Sequence, residues 1–263
     1  MKRTTWIVAA CVALIALPAH AQTADQLIAK NLKAKGGLEK IKAVKTLRAT
    51  GHLTLAPGME APFVMTLKRP NEMRMEVTVQ GTVGVQAFDG HSAWAFLPFM
   101  GQTSPTPLTD EQAKMVEEQA DFDGPLVDYK TKGMKVEAAG RDTVGGVSAY
   151  KLKLTRADGQ VRYLFLDPER YLEIKTAGRR NIGGTEMEVE SRISDYKEVG
   201  GILMAHTIES GVTGSSQRQK ISVDHYEPNI DVAESAFAMP AAPDTSAKAA
   251  PKPVIEKKTA TKK

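Results

Sequence analysis

The chain has 263 residues, of which 42% are hydrophobic and only 6% aromatic, and a formal net charge of +4. That charge is uneven: without Lys2 and Arg3, and without the last 23 residues, where six lysines face Asp244 and Glu256, residues 22–240 hold 27 basic and 29 acidic groups, a net charge of −2. Such a domain lacks the basic footprint of a nucleic-acid binder, and its single cysteine, Cys11, leaves no disulfide or cysteine-ligated metal to anything that follows it.

The N-terminus decides the expected compartment. Lys2 and Arg3, the apolar run from Trp6 to Leu17 and the small residues Ala19-His20-Ala21 have the layout of a secretory signal peptide cut between Ala21 and Gln22. The run of 12 residues is short for a membrane span. Val8-Ala9-Ala10 before Cys11 offers a lipobox as the alternative, but cleavage there would leave the apolar Val12 to Leu17 at the mature end. Residues 1–21 are therefore read as signal peptide, 22–240 as the folded β-domain of a periplasmic monomer, and 241–263 as a disordered Lys/Ala/Pro-rich tail without apolar period.

Thr23 and Gln26 form a capping-box pattern ahead of the stripe Leu27, Ile28, Leu32, and Gly36-Gly37 ends that helix. A short helix is expected over Leu38 to Val44. The period then becomes two. Leu47, Ala49, Gly51, Leu53 and Leu55 share one face; Phe63, Met65 and Leu67, then Met73, Met75, Val77 and Val79, repeat the pattern against polar neighbours. One apolar and one polar face mark antiparallel strands. Asp89-Gly90 and Asp158-Gly159 read as two-residue type I′ hairpins, and Gly145-Gly146, Gly183-Gly184 and Gly200-Gly201 punctuate the second half. The fold class is mainly β with helices (α+β), a meander of about eleven or twelve strands. Pro98, Pro105 and Pro107 interrupt it, and a second capping box, Thr109 with Gln112, opens a helix to about Gln119 with the stripe Ala113, Val116, Ala120 and Met115 beside it. A helix placed there is expected to lie across one sheet face as a lid.

No residue pattern supports catalysis, a cofactor or a metal. His52, His91, His206 and His225 show no metal-ligand spacing. Ser148 begins a strand and misses the GxSxG elbow. Gly81 to Gly84 lacks the lysine of a phosphate loop, and Asp121-Phe122-Asp123-Gly124 lacks the twelfth-position glutamate of a calcium loop, Lys132 standing there. Glu186, Glu188 and Glu190 read as a solvated strand face.

The distinctive chemistry is apolar. Ten methionines follow Met1, and thioether chains repack around variable ligands. A curved sheet with a soft interior under a helix could hold acyl chains. The candidate lining is Leu53, Leu55, Phe63, Met65, Leu67, Met73, Met75, Val77, Val83, Val85, Trp94, Phe96, Met115 and Val116. Arg69 continues the Phe63, Met65, Leu67 series at the end of the apolar face. If it points beneath the helix it must find hydrogen-bond partners there, in carbonyls on or near residues 109–119.

Leu67-Lys68-Arg69-Pro70-Asn71, followed by Asp89-Gly90-His91-Ser92-Ala93-Trp94 and later by Leu166-Asp167-Pro168, resembles the LolA/LolB-type family of periplasmic lipoprotein carriers, over roughly residues 23–240. The resemblance implies an open β-barrel that takes acylated lipoproteins or lipids from an inner-membrane transporter to an outer-membrane acceptor. It also gives the arginine of the Arg-Pro turn, here Arg69, the role of holding the lid. A sensor or envelope interaction protein with the same fold is the alternative. The chain purified from an envelope should begin at Gln22 and carry no lipid anchor; an intact mass showing a diacylglyceryl cysteine would refute this.

Overall fold

The computed structural model describes residues 22–56 and 58–240. The expected signal peptide, with Cys11, and the lysine-rich tail lie outside the described residues. In chain order the elements are α1 (Ala24–Ala34), α2 (Leu38–Ala43), β1 (Thr46–Ala56), β2 (Met59–Lys68), β3 (Glu72–Val79), β4 (Thr82–Phe88) and β5 (Ala93–Phe96). After a single 3-10 turn come β6 (Thr106–Pro107), α3 (Asp110–Ala120), β7 (Lys135–Val144), β8 (Val147–Thr155) and β9 (Val161–Leu166). The chain continues with β10 (Glu173–Ile182), β11 (Thr185–Val199), β12 (Ile202–Val212) and β13 (Gln219–Pro228). Every described strand pairing is antiparallel, and the sheet does not close. Two compact units result.

The first unit holds the described residues up to Ile41 and Pro125–Arg218. Its strands run in the order β7-β8-β9-β10-β11-β12. The capping box of α1 is made as the sequence indicates, Thr23 Oγ1 accepting from Gln26 N–H at 3.2 Å and Gln26 Oε1 accepting from Thr23 N–H at 3.0 Å. Leu27 and Ile28 press onto Leu152, Leu154, Leu164 and Leu166 of β8 and β9, with Leu126 beside them. Polar groups then fix the helix. Asn31, fully buried, donates to the Tyr171 carbonyl at 2.8 Å, and the nearby carboxylate of Glu173 accepts from the Tyr196 hydroxyl at 3.1 Å. Burial pushes the Glu173 pKa up, but the Lys35 ammonium, with hydrogen bonds that include those of Asn31 and Tyr196, outweighs it and holds the group below the ordinary value.

The strand face expected to be solvated is only partly so. Glu186 and Glu188 are exposed, whereas Glu190 is buried between Lys175 and Arg218. The hydrogen bond from Lys175 is the foremost reason its pKa is lowered. The turns also divide. Gly145-Gly146, Gly183-Gly184 and Gly200-Gly201 are two-residue loops with positive φ at both positions, the type I′ geometry. Asp89-Gly90 and Asp158-Gly159 are not. Each lies in a longer loop, because the aspartate turns back on its own backbone: Asp89 Oδ1 accepts from His91 and Ser92 N–H at 2.9 and 2.7 Å, and Asp158 Oδ1 from Gln160 N–H at 3.1 Å.

The second unit holds Lys42–Gly124 and the described residues from Gln219. Its strands run in the order β6-β5-β4-β3-β2-β1-β13, so the last strand of the chain pairs with the first. The β1–β13 register shifts between Thr50 and Gly51, a bulge at which the backbones come close. A Cβ on Gly51 would lie 2.0 Å from the Ser222 carbonyl oxygen, so no larger residue fits without moving a strand. Gly51→Ala should therefore cost about 1–3 kcal/mol, and each kcal/mol lowers the Tm of a domain this size by roughly 2–4 °C. Thermal circular dichroism measures this; an unchanged Tm would show that the strands separate here at no cost.

Candidate functional site

The register of the second unit sorts its side chains onto two faces, since residues directly opposite one another in antiparallel strands share a face. One rung joins Leu47, Leu67, Met73, Phe88 and Ala93; the next joins Ala49, Met65, Met75, Gln86 and Ala95; a third joins Gly51, Phe63, Val77 and Gly84. Leu53 continues this front face opposite Ala61, and β13 adds Ile221, Val223 and Tyr226. The face is apolar almost throughout, and Met65, Met75, Val77, Ile221 and Tyr226 pack there around Ala49, Leu53, Phe63 and Val223. Within it, Met65, Met75 and Val77 are only half-buried.

Of the fourteen residues the sequence nominates as lining, the register brings Leu53, Phe63, Met65, Leu67, Met73, Met75 and Val77 together on this face. It sets four others apart. Val85 opposes Glu76 and Phe96, Trp94 opposes Ala87, which opposes Arg74, and Val83 opposes Thr78; all four lie on the back face. The reason is that β5 is apolar on both sides, so alternation cannot orient it. The larger Trp94 and Phe96 were expected inside, yet Ala93 and Ala95 occupy the front. Their small side chains let α3 approach β3, β4 and β5. Leu55, 42% exposed, sits at the hairpin end of β1, and Val83 is 46% exposed. On α3, Val116 is buried with Ala120, one turn away on the same stripe, while Met115 is 43% exposed and turned aside.

Arg69, just past the end of β2, lies at the edge of the front face. Its guanidinium makes a two-pronged contact with the carboxylate of Asp123, three residues beyond the end of α3. Its Nε donates to the Val44 carbonyl at 2.7 Å, and the planar group lies 4.9 Å from the Phe122 ring centre. Arg69 N–H donates to the Lys45 carbonyl at 3.0 Å. Its acceptors include a carboxylate behind the lid and a carbonyl at the α2–β1 junction. A charged pair gains more from a forked acceptor than from single carbonyls. Asp123 and Phe122, which as a calcium loop made no sense, are the residues that meet this arginine.

The back face is covered by the chain itself. Trp94 Nε1 donates to the Phe237 carbonyl at 2.8 Å, and Phe237 is fully buried. Arg74 donates to the Ala236 carbonyl at 3.2 Å and to Glu76 Oε1 at 2.9 Å, and Lys68 pairs with Glu234. A polar cavity of about 280 Å³ between Arg48, Thr66, Arg74 and residues 231–236 is what remains there. The sequence hint was Phe237, the only aromatic residue after β13. Among the described residues no three histidines, aspartates or glutamates are placed to share a metal ion.

The architecture is that of an open antiparallel sheet with an N-terminal helix and a second helix laid over one apolar face. It is the fold of the LolA superfamily. The chain is similar to a LolA superfamily protein from Nitrosomonas europaea, with a TM-score of 0.57 at 14% identity over 83% of this chain and 98% of that one. It is similar to an outer membrane lipoprotein-sorting protein domain from Vibrio parahaemolyticus, with a TM-score of 0.50 at 14% identity over 80% and 97%. A DUF1329 family protein from Desulfovibrio piger matches with a TM-score of 0.57 at 11% identity over 83% and 98%. No family model and no curated protein sequence matches the chain. At these identities the likeness establishes the fold.

Asp123→Asn keeps the shape of the side chain, removes its charge and turns one of the two acceptors of Arg69 into a donor. Hydrogen bonds to a charged group contribute about 1.5–3 kcal/mol, and every 1.4 kcal/mol is about tenfold in an equilibrium. Amide exchange over residues 110–120 should accelerate at least about tenfold while β1–β3 amides are unchanged. Exchange mass spectrometry that finds the helix equally protected would show that its apolar stripe alone holds it.

Proposed function

We propose that the protein is a periplasmic carrier, which takes acyl chains of lipoproteins or lipids onto the front face of β1–β4 and passes them toward the outer membrane. The observation that carries this reading is the half-buried strip Met65, Met75 and Val77, set among fully buried neighbours on a face overlain by α3. Thioether side chains adapt to ligands of varied shape, and each methylene taken from water contributes about 0.8 kcal/mol. The lid is attached mainly by a directional ion pair and a narrow apolar stripe, which an acyl chain of ordinary length can outcompete. The lipoprotein-sorting domain among the structural neighbours supports the same reading. An inner-membrane transporter and an outer-membrane acceptor are the partners it requires, and it involves no catalytic step.

Native mass spectrometry of the protein purified from an envelope should reveal a bound lipid or acylated peptide, lost in Met75→Glu and retained in Thr78→Glu. Those two positions lie on opposite faces of β3. Circular dichroism confirms that both variants fold. Equal retention in both, or a wild-type protein without acyl ligand, would refute the assignment.

A further inference from the structure

The outward side of α3 is the strongest unassigned surface. Residues 110–120 hold Asp110, Glu111, Glu117 and Glu118 against the single base Lys114. A shallow groove of about 480 Å³ runs between this helix and the β4–β5 loop, where Phe88 and Ala113 give it an apolar floor and Asp110 and Glu117 stand on its rim beside Lys114 and His91. Met115, exposed, is on the same helix. An acidic helix side next to an apolar floor calls for a basic segment that carries one or two apolar side chains.

The chain contains such a segment. Residues 252–258 read Lys-Pro-Val-Ile-Glu-Lys-Lys; Val254 and Ile255 are the only large apolar residues after Pro240, and residues 241–263 carry six lysines against two acids. The place where this tail leaves the fold is favourable. Phe237 is anchored to Trp94 on β5, the second strand from the sheet edge and one of the three strands under α3. Val254 lies 14 residues beyond Pro240, a reach of roughly 20 Å as a flexible chain and roughly 45 Å fully extended. Rounding the edge takes two strand spacings of about 4.8 Å and one packing layer of about 10 Å.

We infer that residues 252–258 dock on the outward side of α3, with Val254 and Ile255 over Phe88 and Ala113 and the flanking lysines against Asp110 and Glu117. Tethering makes this contact intramolecular, so weak charge pairing suffices to populate it. The inference does not depend on what the front face binds.

The test is a nitroxide label on Ala250→Cys in the chain from Gln22 to Lys263, read by paramagnetic broadening of backbone amides without any ligand. Amides of residues 110–117 should lose intensity selectively at low ionic strength and recover in high salt, where exposed charge pairs are screened. Glu117→Lys should remove the broadening, and adding Lys257→Glu with Lys258→Glu to that variant should bring part of it back. Absence of broadening, or broadening that survives Glu117→Lys, overturns the inference. So does equal broadening in a mixture of spin-labelled unenriched chain and unlabelled 15N-enriched chain, which would assign the groove to a second copy.

Discussion

The guanidinium of Arg69 is the point through which the second unit is organised. It reaches the Val44 carbonyl ahead of β1, the Asp123 carboxylate after α3 and the Phe122 ring, from a backbone position that closes β2. A cation removed from water must be fully partnered, so these stretches of chain cannot shift independently. The position of α3 over the sheet follows. Its own apolar stripe is small, essentially Val116 and Ala120 with Ala113 beside them, and could not by itself define where the helix lies.

The two faces of the sheet in this unit do different things. On the back, Trp94, Phe237, Arg74 and Lys68 lock the segment after β13 in place with hydrogen bonds and ion pairs that fix geometry as well as energy. On the front, the rungs are filled mostly by leucine, alanine, methionine, valine and phenylalanine with few directional contacts. With the back sealed by its own chain, the softer front is the surface on which the proposed carrier takes its apolar ligand.

The first unit shows the contrast in side-chain choice. Beneath α1 the core is leucine upon leucine, with the Asn31 amide donating to the Tyr171 carbonyl and Glu173 held by Lys35 and Tyr196 as polar pins. Branched side chains with defined rotamers pack in one way; unbranched thioethers pack in several. Leucines lie where a helix must stay, and Met65 and Met75 join the leucines of the front face where, in the proposed carrier, contents must change.

Features set by neighbours along the chain were legible in the sequence. Thr23 with Gln26 and Thr109 with Gln112 mark both capped helices because a capping box is complete within four residues. The alternation from Leu47 to Val79 marks three strands and their apolar side, because a pleated strand turns each successive side chain over. The double glycines mark the turns where two positive φ values are needed. What tertiary structure alone decided is of another kind. Strand β5 is apolar on both sides, so only the arrival of α3 on Ala93 and Ala95 assigned Trp94 and Phe96 to the back. Glu190 looked like its exposed neighbours until Lys175 and Arg218, from elsewhere in the chain, closed over it. Arg69 announced that it needed a partner, but Asp123 lies 54 residues away, and no local pattern encodes which distant carboxylate folding will bring to it.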